Sequence, residues 1–168
     1  MSVAFLLGFF GCNSPVEVTD SIQWWKGNTH THTLWSDGDA APEKVSAWYR
    51  NHGYQFLVLS DHNILSVGNR WFPVSNQGNG RLRETHVAEL RRDFGEDWVE
   101  TRKKGEQTEM RLKTLAELRE FFEVPNKFIF IQGEEVTDRF EKQEVHINAI
   151  NVGELIMPQH GNSLVDTI

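Results

Sequence analysis

The sequence predicts an α/β fold organised around a parallel sheet or barrel, and three observations predict it. Short, nearly continuous apolar runs such as Tyr54–Ser60 and Phe128–Ile131 suit strands covered on both faces. Segments with helical spacing lie between such runs. Polar side chains of the metal-ligating type follow the runs directly, at the strand ends where α/β folds gather their chemistry.

Taken in order, Ile22–Thr31 reads as a first strand, with Trp24 and Trp25 as its bulky part. Pro42 stands where a helix can begin, and Glu43–His52 continues it, with Gly53 as a C-terminal stop. Tyr54–Ser60 is the second strand. Residues Ile64–Met110 are polar, are broken by Gly78, Gly80, Gly95 and Gly105, and contain a helix around Glu84–Phe94. They read as an insertion over one end of the sheet, expected to pack less tightly than the strands and to overhang the site. Leu112–Phe122 returns to helical spacing, with Leu112, Leu115, Leu118, Phe121 and Phe122 on one face. Phe128–Ile131 is a third strand and Val145–Val152 a fourth.

The composition supports a folded domain. Hydrophobic residues make up 39% of the 168 and charged residues 24%, enough for a core and ordinary for a globular chain. The net charge of -7, and the dispersal of Arg102, Lys103 and Lys104 among acidic neighbours, argue against a nucleic-acid partner. No stretch after the leader has the roughly 18 apolar residues that a membrane span needs.

The single cysteine, Cys12, excludes an intramolecular disulfide. It follows the apolar run Val3–Gly11, and that order resembles a bacterial lipoprotein signal in which the cysteine carries the lipid. Residues 1–20 are then signal and tether, residues 21–168 are the domain, and the protein is exported to the periplasm or outer surface. Membrane contact is expected only through such an anchor. No Lys or Arg precedes the run, which a signal peptide should have; the alternative is a cytoplasmic protein with an incidental cysteine.

The ligand-type residues form a series. His30 and His32 alternate on one strand and so share a face. Asp37 follows on the turn Ser36-Asp37-Gly38. Asp61 and His62 end the second strand, where an aspartate beside a metal-binding histidine serves as ligand or orienter. Glu134 and Glu135 end the third strand and point to opposite faces, so only one can reach the site. His146 interrupts the apolar fourth strand. Nitrogen and carboxylate donors without thiolates fit Zn²⁺, Mn²⁺ or Fe²⁺, and more than four candidates imply more than one ion. Clustered ions suit hydrolysis. His52, His86 and His160 read as surface, insertion and loop residues.

These residues also carry a resemblance. His30-Thr31-His32 followed by Ser36-Asp37-Gly38 resembles the first motif of the polymerase and histidinol phosphatase (PHP) family. Ser60-Asp61-His62 resembles the second, and Gly133-Glu134-Glu135 with His146 the third. The stretch Trp24–His32 is similar to the branch of metallohydrolases named after carbaryl hydrolases, whose known members cleave an aryl carbamate ester. The resemblance implies a distorted (β/α)7 TIM-like barrel, two or three divalent metal ions, and hydrolysis, often of phosphoesters. It implies ligand roles for His30, His32, His62, Glu135 and His146, a ligand or catalytic role for Asp37, and a weaker one for Asp61. The family's later His-Pro segment and closing Asp-x-His have no match after His146. The expectation is therefore the N-terminal part of such a barrel, truncated or degenerate.

Three readings follow. The first is a metal-dependent phosphoesterase acting on a small molecule, which an Arg or Lys in the cleft would favour; Arg70, Arg81 and Arg83 are the candidates. The second is a carboxylic or carbamate ester hydrolase on the same scaffold. The third is a non-catalytic metal-binding module.

Overall fold

The computed structural model describes residues 22–167, apart from 76 and 79. Cys12 and the apolar leader lie outside the described residues. No helix among the described residues is long and apolar enough to cross a membrane.

The main sheet is curled and four-stranded, in the order β1 (Gly27–Asn28), β2 (Phe56–Leu59), β6 (Ile129–Phe140) and β7 (Gln143–Ile150). Its first strand β1 is only Gly27–Asn28. Helix α1, Pro42–Asn51, has Pro42 in its first turn, and the chain leaves it through Gly53 at φ +74°. Strand β2, Phe56–Leu59, buries Leu57, Val58 and Leu59 and pairs in parallel with both neighbours, as its continuous apolar run predicts. Strands β3 (Trp71–Pro73), β4 (Thr101–Lys104) and β5 (Gln107–Arg111) form a separate antiparallel sheet, with helix α2 (Glu84–Phe94) between β3 and β4 in the chain. Helix α3, Leu115–Phe122, starts at a reciprocal cap between Thr114 and Glu117. Strand β6 runs from Ile129 to Phe140, β7 from Gln143 to Ile150, and α4 covers Leu164–Thr167.

This architecture corrects the expected fold. The described residues form a mixed α/β fold with two sheets and four helices, and it is not a (β/α)7 TIM-like PHP barrel. The decisive element is the connection from β6 to β7. Two residues, Glu141 and Lys142, join them, and the strands pair antiparallel from Gly133↔Ile150 to Phe140↔Gln143. A parallel pair would need a crossover of a dozen or more residues. The first strand also shrinks: Trp24 is 92% exposed and Trp25 54%, and both lie outside β1.

The core has two clusters. Leu57, Leu59, Phe128 and Phe130 pack on Leu115, Leu118 and Phe122 of α3, with Val45, Ala47 and Tyr49 of α1 alongside. The second cluster gives the insertion a buried core. Val74, Leu82, Val87, Leu90, Val99 and Met110 bury themselves against Leu34 and Trp35, the residues just before Ser36-Asp37.

Candidate metal centre

The site is assembled at the ends of β1, β2 and β6 by backbone pairing beyond the named strands. Ser60 N donates to Thr31 O (2.8 Å), and Thr31 N donates to Ser60 Oγ (3.0 Å). Thr31 and Thr33 are buried, so the alternating residues His30 and His32 point together to the other side. His62 and Glu135 form a parallel bridge. In the β6–β7 ladder Thr137 stands opposite His146.

Glu135 is the centre of the cluster. Its Oε2 lies 3.0 Å from His30 Nε2, 2.7 Å from His32 Nε2 and 3.3 Å from His62 Nδ1. Its Oε1 lies 3.3 Å from His146 Nδ1. Asp37 approaches from the turn, with Oδ1 2.9 Å from His32 Nδ1 and Oδ2 3.5 Å from His62 Nε2. The structure thus brings His30, His32, Asp37, His62, Glu135 and His146 into one constellation.

Both carboxylates are held ionised. Burial pushes the Glu135 carboxyl up, but the His30 hydrogen bond and the charges of His62, His30 and His32 outweigh it and leave it below the usual glutamate value. At Asp37 desolvation likewise opposes ionisation. The charges of His62 and His32, with the His32 hydrogen bond, bring the carboxyl below the usual aspartate value.

Among the described residues three groups could each hold an ion: His30, His32 and Glu135; His32, Asp37 and His62; and His62, Glu135 and His146. In each group the donor atoms lie within 4.8 Å of one another. The fit is chemical as well as geometric. Donors on one tetrahedral ion with bonds of about 2.0–2.1 Å stand roughly 3.3 Å apart, close to the separations here. The set holds imidazole and carboxylate without thiolate, which suits Zn²⁺, Mn²⁺ or Fe²⁺. His32 belongs to two groups through opposite ring nitrogens, and a neutral imidazole has one lone pair to give. It therefore serves one ion at a time, and which one depends on its tautomer.

Asp61 stands outside the constellation, in the place of an orienter rather than a ligand. It is buried, and both carboxylate oxygens are taken. Oδ1 accepts from Thr33 N (2.8 Å), Ser36 N (3.0 Å) and Ser36 Oγ (2.6 Å), and Oδ2 accepts from Thr33 Oγ1 (2.8 Å). It fixes the turn that carries Asp37. Gly38 completes that turn, since a Cβ there would sit 2.5 Å from Thr33 N. Glu134 points to the opposite face of β6 from Glu135. Burial pushes its carboxyl up, partly offset by the Ile156 N–H that donates to it at 2.6 Å.

Two further site residues lie outside the ligand series. Thr137 Oγ1 lies 2.5 Å from His62 Nδ1 and 3.2 Å from His146 Nδ1. Asn63, at φ +50°, exchanges two 2.8 Å hydrogen bonds with the Thr137 backbone and locks the end of β2 to β6. A strand-end Asn that tolerates positive φ was the available cue.

A cleft of about 920 Å³ opens beside His30 and His32. Val45, Ala47, Trp48 and Tyr49 of α1 line it with Phe94 from the insertion, so the insertion reaches the cleft. Its lysine, Lys44, is paired with Asp93 at 2.8 Å. The expected phosphate-holding arginines are engaged elsewhere. Arg81 donates to the Ser36 and Gly38 carbonyls, Arg83 to Gly78 O and His86, and Arg70 lies over the Trp35 ring. His52 stacks on Trp48, His86 lies against Arg83, and His160 pairs with Asp138.

No protein-family model, curated protein or solved structure matches the chain. The chemistry of the site therefore rests on its own residues.

Proposed function

We propose that the chain is a metal-dependent hydrolase that cleaves an ester of a small molecule, with a phosphoester as the first reading. The observation that carries this reading is the position of Glu135, whose two oxygens lie within 3.3 Å of four histidines. His30, His32, His62, His146, Asp37 and Glu135 are the proposed ligands of a divalent ion, or of two or three. A bound ion of this kind lowers the pKa of water towards neutrality and stabilises charge on the reacting oxygens. The motif resemblance to the PHP family supports the same chemistry.

The chain's own residues have separate duties in this reading. Glu135 and Asp37 supply negative charge that offsets the cations. The four imidazoles must be neutral at the nitrogen that binds, so metal affinity falls in acid. The cleft beside His30 and His32 is the place for the substrate's non-reacting part.

One observation favours the second reading, a carboxylic or carbamate ester. The cleft is walled by Val45, Ala47, Trp48, Tyr49 and Phe94, and its lysine is already paired. Such a wall suits an apolar ester group better than a dianion.

The test is turnover by the full chain, loaded with Mn²⁺ or Zn²⁺, on aryl phosphate, aryl carboxylate and aryl carbamate probes. Metal-dependent turnover that Glu135→Gln abolishes is the expected result, and the preferred probe separates the two readings. Metal bound with no turnover on any probe would favour a non-catalytic metal-binding module instead. No metal binding at all would sink the proposal.

A further inference from the structure

The Asp37 side chain is 66% exposed. An aspartate has short reach, so where its carboxylate stands is decided by the backbone turn beneath it. That turn is held from two directions. From the β2 side, Asp61 binds Thr33 and Ser36. From the opposite part of the chain, Arg81 Nη1 donates to Ser36 O at 2.9 Å and to Gly38 O at 3.1 Å. These are the carbonyls on either side of Asp37, and one NH₂ group has two hydrogens to serve them. The guanidinium lies over the Phe72 ring, 5.0 Å from its centroid. Phe72 in turn pairs with Met110 across β3 and β5 and packs on the insertion's core. A three-stranded sheet thus stands behind the arginine.

We propose that Arg81 is a positioning residue for the metal centre: it bridges the carbonyls flanking Asp37 and so makes metal binding through Asp37 depend on the insertion. The inference rests on the metal-centre reading above and adds a device for it. Without Arg81 the turn keeps its Asp61 anchor and loses its outer one. Asp37 then samples positions from which it does not reach the ion shared with His62. Removing an outer-shell partner of this kind typically weakens metal binding 10–100-fold.

The experiment is calorimetric titration of the full chain with Mn²⁺, for wild type, R81A, R81K, D37N and the R81A/D37N double variant, with Tm recorded for each. R81A is expected to weaken Mn²⁺ binding by about tenfold or more. R81K, which keeps a cation and N–H donors, is expected to recover part of the loss. In the D37N background R81A should add nothing, because the ligand it positions is gone. Unchanged affinity in R81A, or losses that simply add in the double variant, would overturn the proposal. Should R81A fail to fold, R81K and R81Q are read by the same criterion against D37N. Absence of Mn²⁺ binding in the wild type would overturn the metal-centre reading and this proposal together. Wild-type binding with an indifferent Arg81 overturns this proposal alone.

Discussion

Thr137 Oγ1 lies 2.5 Å from Nδ1 of His62, and the contact decides which nitrogen of that ring can face a metal. The hydroxyl donates to Glu135 O at 3.3 Å, so its lone pairs are left to accept from imidazole. His62 then carries its proton on Nδ1 and offers Nε2, which points towards Asp37 at 3.5 Å. This tautomer, assigned from the hydrogen bonds, turns the free lone pair of His62 towards Asp37 and away from Glu135, whose Oε2 lies 3.3 Å from Nδ1.

Thr137→Val keeps the shape and removes the acceptor. We expect metal affinity to fall by about tenfold or more, because the ring loses the partner that fixes its tautomer. Thr137→Ser should restore it. Calorimetric titration with Mn²⁺ and a Tm for each variant check this. A Val variant with unchanged affinity would show that the tautomer is set elsewhere.

Asp61 gives a prediction that separates holding from catalysis. Asp61→Ala strands the buried donors of Thr33 and the part-buried donors of Ser36, each unmet buried donor costing about 1–3 kcal/mol. A loss of roughly 3–5 kcal/mol is expected in denaturant unfolding. Asp61→Asn keeps an oxygen for the three bonds at Oδ1 and should cost about 1–2 kcal/mol. A stable Asn variant that binds metal normally but has lost all turnover would restore a catalytic role for this residue.

The sequence made the histidine pair legible because alternation alone puts His30 and His32 on one face. It also showed that Glu134 and Glu135 diverge. It did not show the β6–β7 hairpin. The apolar signal of β6 ends at Ile131, because the stretch after it carries polar side chains on both faces: Glu135 and Thr137 meet the site, while Glu134 and Asp138 are buried behind it. The connection offers no Gly, Asn or Pro; Glu141 takes the positive φ of 54° itself. The insertion's core was hidden for a related reason. Val74, Leu82, Val87, Leu90, Val99 and Met110 come from separate short elements, so no local period announces that they share a core. Arg81 was visible as a cation, but its partners are backbone carbonyls, which no residue pattern marks.

Glu43 predicts the pH dependence of stability. It is buried in the first turn of α1, and Trp98 Nε1 donates to its Oε1 at 3.3 Å. Burial pushes its carboxyl up to about 7, only partly offset by its backbone and Trp98 hydrogen bonds. Between the unfolded value of 4.5 and about 7, the folded state therefore holds a proton that the unfolded state has lost. Its contribution is present in full below pH 4.5 and is lost as pH rises to about 7. The shift corresponds to roughly 3 kcal/mol. Glu117 and Glu100, brought down to about 2 by hydrogen bonds from Arg111, the former against its own burial, act below that window. Glu43→Gln should flatten the stability profile from pH 4.5 to 7 and raise stability at pH 7. Urea unfolding at intervals across the range checks it. An unchanged slope would place the titration on another group.

The insertion's core yields the last prediction. Leu90 is 2% exposed and packs with Leu34 and Trp35 among its cluster. Truncating a buried leucine to alanine removes transfer energy and leaves a cavity, costing about 2–5 kcal/mol. A loose overhang would absorb Leu90→Ala with little change. A core shared with Leu34 and Trp35 would not, and the damage would extend to the turn of Ser36–Gly38, which follows those residues directly. We therefore expect Leu90→Ala to lower global stability by about 2–5 kcal/mol in a single transition, and to weaken Mn²⁺ binding as well. In the wild type, amide exchange at Met110 in β5 should be as slow as at Val58 in β2, since both are buried strand residues. Fast exchange at Met110, with a Leu90 variant of unchanged stability, would mean that the insertion folds and melts independently of the sheet that carries the histidines.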